Sequence, residues 1–229
     1  MSAPMPIVHL FVLLDRSGSM ASMAEQVVAG FNQLLAEQQA DGHDARMTLV
    51  QFDSEDSLEV LADAIPIAEV VALDHHAFQP RGGTPLLDST GRLIGKAAGR
   101  AATLATAGDP AEQVLFVTIT DGEENQSHEF SRQQIVDLVR AKEEAGWTFV
   151  FLGAGLDAYH EAGSLGYAPG SVQSWAPDGT GAALAFSSLS RKTSDYRAKL
   201  RHDEAIASDD FFEGDKPAEA DRQRRRGEK

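Results

Sequence analysis

The chain has 229 residues, 42% of them hydrophobic and 24% charged, and is long enough to bury a full core as one large domain. Its net charge of −15 argues against nucleic acid as a partner, because the phosphates would be repelled. The sequence has no cysteine, which excludes disulfides and thiolate metal sites and fits a reducing compartment. No stretch approaches the roughly 18 apolar residues of a membrane span, so no membrane association is expected.

The first predicted element is a strand over residues 7–14, a continuous apolar run typical of a central parallel strand that is covered on both faces. Residues 1–6 contain no Lys or Arg and the apolar run is short, so we expect no signal peptide and a cytoplasmic location. A helix follows, because apolar residues recur at helical spacing; Ser22 and Glu25 have the spacing of a capping box at its start.

Two further strands are predicted at residues 47–52 and 58–62. The link between them is so short that an antiparallel hairpin at one edge of the sheet is favoured. Thr84-Pro85 then reads as a helix start, with Thr84 as the N-cap and Pro85 in the first turn.

The second half of the chain continues the alternation of strands and helices. Ser131 and Gln134 are expected to cap one of these helices, and Asp178 to cap a closing helix over roughly 179–201. The alternation predicts an α/β fold with a doubly wound, Rossmann-like, mostly parallel sheet, one antiparallel edge strand and helices on both faces. The other predicted elements are strands near 114–120, 147–152 and 171–175 and a short helix at 157–162.

The C-terminal residues differ in composition from the rest. Residues 216–229 hold six basic and three acidic side chains and no aromatic or branched apolar one. Such a composition is typical of a disordered segment. We therefore predict one domain over residues 1–205 and a charged, disordered tail over 206–229.

Three polar segments stand at predicted strand ends or at a helix start: residues 15–19 (Asp-Arg-Ser-Gly-Ser), residues 82–86 (Gly-Gly-Thr-Pro-Leu) and residues 120–122 (Thr-Asp-Gly). In a doubly wound sheet with strand order 3-2-1-4-5-6, the loops after the first and fourth strands face each other across one crevice. Their side chains offer only hard oxygen ligands, which select Mg²⁺, with Mn²⁺ or Ca²⁺ as alternatives. The predicted ligand set is Asp15, Ser17, Ser19, Thr84 and Asp121.

These segments resemble the metal-ion-dependent adhesion site of von Willebrand factor A (vWA) domains, and the resemblance covers roughly residues 5–200. It implies that Ser17, Ser19 and Thr84 bind the cation directly, whereas Asp15 and Asp121 act mostly through water or hydrogen bonds. The Gly-Gly-Thr-Pro-Leu form is similar to that of intracellular bacterial members. The residues that follow, Glu123 to Asn125, are expected to be solvated loop residues, with a place on the rim of the site as the alternative.

Two other sites are weaker hypotheses. Residues 153–158 fit a dinucleotide-binding pattern, with Asp178 as the ribose-binding acid, although a tight turn explains the glycines equally well. Asp15 after the first strand is also typical of phosphatases that use an aspartyl nucleophile, such as those of the haloacid dehalogenase family, but Ser17 stands where they have a second Asp.

The favoured function is a non-enzymatic, metal-dependent protein-binding module. An unidentified partner protein would present an Asp or Glu that completes the coordination of the cation. The alternative is a Mg²⁺-dependent phosphoryl-transfer or hydrolytic enzyme that uses the same oxygens. Fold alone does not separate the two.

Overall fold

The computed structural model describes residues 6–155, 158–206 and 209–227. Its centre is a six-stranded sheet in the order β3-β2-β1-β4-β5-β6, the order on which the expected site depends. All neighbouring strands run parallel except β3, which pairs antiparallel with β2 at one edge. The strands are β1 (Val8–Asp15), β2 (Ala45–Phe52), β3 (Glu59–Pro66), β4 (Gln113–Thr120), β5 (Thr148–Ala154) and β6 (Val172–Trp175).

Helices cover both faces of the sheet. Successive residues of a strand point to opposite faces, so Leu10 and Val12 of β1 join one core cluster and Phe11 and Leu13 the other. The first cluster includes side chains from α1 and α5, and the second includes side chains from α2, α3 and α4. The helices are α1 (Ala24–Ala40), α2 (Leu86–Ala107), α3 (Arg132–Glu144), α4 (Ala158–Ser164), α5 (Gly179–Arg201) and α6 (Pro217–Gly227).

The helix caps agree with the sequence at two of four places. Ser131 and Gln134 form the predicted capping box of α3, and the Asp178 carboxylate accepts a hydrogen bond from the Gly181 amide at the start of α5. The predicted capping box at Ser22 does not form, because a 3₁₀ helix over Gly18–Met23 occupies that stretch and α1 begins at Ala24. Thr84 does not cap α2 either; Pro85 holds the N-cap position.

The C-terminal segment contains more structure than its composition predicts. Phe212 is fully buried and Phe211 nearly so, and both belong to the core cluster on the α1 and α5 face. The helix α6 follows, and its Ala218 is buried in the same cluster. The aromatic pair lies ahead of the charged run, which explains why the composition of residues 216–229 gave no sign of packing. The domain division at residue 205 stays a prediction.

Among the described residues, no helix is both long and apolar enough to cross a membrane.

Candidate metal centre

The first and fourth strands end side by side at one edge of the sheet. β1 and β4 are parallel neighbours, with Leu14 opposite Ile119, so Asp15 and Thr120 follow at the same level. The loop that holds Ser17 and Ser19 leaves β1 there, and Asp121 leaves β4. The edge therefore brings together two segments about a hundred residues apart in sequence, as the predicted strand order requires.

Oxygen atoms from these two loops form a short hydrogen-bonded chain. The Ser17 and Ser19 Oγ atoms are 3.0 Å apart, and the Ser19 hydroxyl donates to Asp121 Oδ1 at 2.6 Å. Neighbouring ligands of an octahedral Mg²⁺ lie about 2.9 Å apart when the metal–oxygen distance is 2.0–2.1 Å. The separations observed here are those of ordinary O–H···O hydrogen bonds, and they are also compatible with adjacent ligands of one cation.

Thr84 reaches the same place from the start of α2. A Cβ atom on Gly122 would lie 2.6 Å from Thr84 Oγ1, so this hydroxyl fits against Gly122, the residue after Asp121. Any larger residue at 122 would displace it. Because Thr84 does not cap α2, its hydroxyl is not needed by the helix and stays available to a ligand.

Asp15 forms the floor of the site. It is fully buried; its Oδ1 accepts a hydrogen bond from the Ser17 amide at 2.7 Å and its Oδ2 accepts one from the Thr120 hydroxyl at 2.5 Å. Burial, with a smaller contribution from the nearby Asp121 carboxylate, raises the pKa of Asp15 to about 7 despite these hydrogen bonds. Burial also raises the pKa of Asp121. Among the described residues, no Lys or Arg forms an ion pair with either carboxylate.

Thr120 is a functional residue that the predicted ligand set omitted. Its hydroxyl donates to Asp15 and accepts a hydrogen bond from the Gly122 amide at 3.0 Å. It therefore links the floor of the site to the loop that holds Asp121. The sequence contained a sign of this role, since Thr120 is the last residue of a buried strand and stands directly before the acid.

Arg16, the second residue of the Asp-Arg-Ser-Gly-Ser segment, holds two neighbouring loops in place. Its guanidinium forms an ion pair with the buried Asp53 after β2, at 2.6 Å. The Arg16 carbonyl accepts from the Arg81 amide at 2.9 Å, and the Gly18 amide donates to the Gly82 carbonyl at 3.1 Å. These contacts hold the loop that leads to Thr84 against the loop after β1.

The expectation that residues 123–125 are solvated agrees with the exposure of Glu123 and Asn125, whereas Glu124 is half-buried, and both Glu124 and Asn125 also form defined hydrogen bonds. The Glu124 carboxylate accepts hydrogen bonds from the Leu87 amide at the start of α2 and from the Ser127 amide, at 2.8 and 2.7 Å. Asn125 is bonded to Thr84 through both its side chain and its backbone amide. Only Glu123 remains exposed without a contact of this kind.

The donor chemistry fits a hard divalent cation. The described residues contain no group of three or more His, Asp or Glu side chains placed to hold a metal. The candidate site is instead built from hydroxyls and only two carboxylates, and it contains none of the soft ligands that zinc or copper favour. Ser19 is exposed and Asp121 half-buried, whereas Ser17 and Thr84 are buried, so the cluster meets the surface at Ser19.

The glycines of the alternative nucleotide site have packing roles. A Cβ on Gly153 would lie 2.5 Å from that of Ala158, and Gly155, with φ of +69°, lies against Pro177. Asp178, the proposed ribose acid, caps α5 instead. Residues 156–157 of the pattern lie outside the described residues.

No known protein family profile and no curated protein sequence matches the chain. Solved structures do. The pilus adhesin SpaC from Lactobacillus rhamnosus GG, in its open conformation, superposes with a TM-score of 0.59 at 13% identity, over 85% of this chain and 30% of that one. The SpRpn10 VWA domain superposes with a TM-score of 0.54 at 12% identity, over 80% of this chain and 95% of that one.

Manganese-loaded TRAP from Plasmodium vivax is also similar, with a TM-score of 0.51, 16% identity, and coverage of 78% of this chain and 71% of that one. The chain spans less than half the length of the first structures it matches, 46% for proximal thread matrix protein 1 from the mussel byssus and 30% for SpaC. At such low identities the similarity shows the fold alone. The chain has a vWA-like α/β fold.

Proposed function

We propose that this protein is a metal-dependent protein-binding module. A divalent cation, Mg²⁺ in the first place and Mn²⁺ or Ca²⁺ as alternatives, is held by the hydroxyls of Ser17, Ser19 and Thr84. The observation that supports this most directly is the spacing of the Ser17, Ser19 and Asp121 oxygens at 3.0 and 2.6 Å. The manganese-loaded neighbour with the same fold adds support for a divalent cation.

In this proposal Asp15, which is buried, and Asp121, which is half-buried, have different roles. Each oxygen of Asp15 accepts a hydrogen bond from the chain, so this residue orients the Ser17 loop and supplies negative charge below the cation. Asp121 accepts a hydrogen bond from the exposed Ser19 hydroxyl and so orients it. The cluster meets the surface at Ser19, and there an Asp or Glu from a partner protein completes the coordination of the cation. Nucleic acid and membranes are not among the proposed partners, and the proposed location is the cytoplasm.

The buried position of Asp15 favours binding over catalysis. A phosphoryl-transfer enzyme of the aspartyl type needs this carboxylate as an exposed nucleophile. Here it is fully buried and both oxygens are hydrogen bonded. We therefore propose that the protein is not an enzyme.

Thermal unfolding with and without cations tests the proposal. We expect millimolar MgCl₂ to raise the Tm of the EDTA-treated chain, because a ligand that binds only the folded state stabilises it, by about 2.7 kcal/mol at 100 times its Kd. Ser17→Ala should abolish that rise. Ser22→Ala, an exposed serine in the following 3₁₀ turn, is the matched control and should keep it.

The same proteins then serve to separate binding from catalysis. Capture of an acidic-motif partner from the native cell should require Mg²⁺, and Ser17→Ala should lose it while Ser22→Ala retains it. Hydrolysis of p-nitrophenyl phosphate that disappears in Ser17→Ala would instead favour the enzyme. A Tm that is equal in MgCl₂ and EDTA would contradict the metal site itself.

A further inference from the structure

Thr84 is held on two sides by one residue of another loop. The Thr84 amide donates to Asn125 Oδ1 at 2.9 Å, and the Asn125 amide donates to the Thr84 carbonyl at 3.1 Å. Both backbone polar groups of Thr84 are thereby fixed, which sets the direction of its Cα–Cβ bond. In the rotamer observed, the hydroxyl lies against Gly122.

The two glycines before Thr84 make this contact possible. Gly82 has φ of +64°, and a Cβ there would lie 2.4 Å from Ser54 Oγ. A Cβ on Gly83 would lie 2.9 Å from Asn125 Oδ1 and 2.6 Å from Gln126 Cγ. Asn125 can therefore reach the Thr84 amide only because residue 83 has no side chain.

The contact belongs to a wider set of hydrogen bonds between the start of α2 and residues 124–130. Glu124 accepts from the Leu87 amide, and the Asp88 carboxylate accepts from the amides of His128, Glu129 and Phe130 at 2.8–2.9 Å. The bonds run in both directions, so each segment fixes the other. Thr84 lies just before the start of α2, and Asp121 lies just before residues 124–130.

We propose that Asn125 is a positioning residue for the candidate metal centre, setting the affinity for the cation by fixing Thr84 against Gly122. This inference rests on the proposed function. Asn125 is hydrogen bonded to the Thr84 backbone and is not one of the proposed ligands. Loss of its side chain frees the Thr84 amide, the Thr84 hydroxyl no longer has a fixed direction, and the cation loses a preorganised ligand.

A titration of the EDTA-treated full chain with MgCl₂ tests the proposal, by calorimetry well below the Tm. We expect Asn125→Ala to weaken Mg²⁺ binding about 10-fold or more, the range typical for residues that orient a metal ligand. Asn125→Asp keeps an acceptor for the Thr84 amide and should restore most of the affinity. Gln126→Glu in the Asn125→Ala chain adds the same charge one residue on, without that acceptor, and should not.

Asn32 offers a matched control. Its side chain binds the backbone of Leu73 in the same two-point manner, with Nδ2 donating to the Leu73 carbonyl and Oδ1 accepting from its amide, both at 2.8 Å. This contact belongs to α1 and the loop before Phe78 and involves no predicted ligand. Asn32→Ala should lower the Tm yet leave the Kd for Mg²⁺ within about two-fold of the wild type, whereas a merely structural role predicts equal losses for both variants.

Gly83→Ala reaches the same contact from the other side. Its Cβ displaces Asn125 Oδ1, so we expect a similar loss of Mg²⁺ affinity and faster hydrogen exchange at the Thr84 amide in the metal-free chain. Equal Kd values for wild type and Asn125→Ala would overturn the inference and leave the metal site standing. A wild-type chain that gives no response to Mg²⁺ would overturn both.

Discussion

Two of the buried carboxylates, Asp44 and Asp15, lie in opposite electrostatic surroundings. Asp44, just before β2, is nearly fully buried and is paired with two guanidinium groups, Arg197 at 2.5 Å and Arg201 at 2.7 Å. Asp15, at the end of β1, is fully buried, and among the described residues no cation is paired with it. Although burial opposes ionisation at both sites, the arginine hydrogen bonds lower the pKa of Asp44 to about 2. The pKa of Asp15, by contrast, is raised to about 7.

The comparison shows where the chain supplies its own counter-charge and where it does not. A buried carboxylate without a cation opposes folding unless something neutralises it. At Asp44 the last turns of α5 neutralise the charge permanently. At Asp15 the surroundings are hydroxyls and amides, groups that orient a carboxylate and leave its charge uncompensated. This is the arrangement expected where the counter-ion comes from outside, which agrees with the proposed metal centre.

The largest loss of stability should come from breaking the buried ion pair between Arg197 and Asp44. Arg197 is fully buried and bonds Asp44, the Gln38 carbonyl and the Gly42 carbonyl. Arg197→Ala should lower the free energy of unfolding by about 3–5 kcal/mol, because it leaves buried polar groups unpaired. Urea unfolding measures the loss. The exposed pair of Arg191 with Asp215 is the control, and Arg191→Ala should cost less than about 1 kcal/mol. Equal losses would mean that burial does not distinguish the two pairs.

The ion pairs of Asp44 should also make the free energy of unfolding depend on pH. The expected change is about half of the loss predicted for Arg197→Ala. The pKa of Asp44 is about 2 in the folded chain and 3.8 in the unfolded chain, so its stabilising contribution is present above pH 4 and is lost as the pH falls from 4 to 2. The difference corresponds to about 2 kcal/mol. Urea midpoints at pH 5, 4 and 3 for wild type and Asp44→Asn would show it, since the curves should converge at low pH. Parallel curves would contradict the assignment.

The sequence predicted the sheet almost completely because the elements have strong local signals. The buried runs of β1 and β4, the short link between β2 and β3, and the cap at Asp178 each follow from the local sequence pattern. The failed caps at Ser22 and Thr84 have a common cause. Both lie in the loops of the site, where contacts between loops decide the backbone conformation and local preference does not.

The sequence predicted the ligands of the candidate site. It did not predict the residues that hold those ligands in place. Serines and acids at strand ends can be read from spacing, because parallel strands end at one edge. Asn125 and Thr120 act through contacts with residues 41 and 105 positions away, and no local pattern encodes such pairs. The same holds for Arg197, which is hydrogen bonded to Asp44, 153 residues away in sequence and just before β2.

The last prediction concerns Asp15. Replacing a buried, hydrogen-bonded side chain usually destabilises a protein, but here we expect the replacement to be stabilising when no cation is present. In EDTA at pH 8, Asp15→Asn should be more stable than the wild type by about 1–2 kcal/mol, because the folded pKa lies above the unfolded one and the ionised carboxylate then opposes folding. The neutral amide still accepts from the Ser17 amide, and the Thr120 hydroxyl can turn to the Gly122 carbonyl, 3.2 Å away. In saturating MgCl₂ the order should reverse, because only the wild type gains the energy of the cation. Urea unfolding of both chains in the two buffers decides the matter. A wild type that remains the more stable chain in EDTA would mean that the fold already neutralises Asp15, and the contrast with Asp44 would fail.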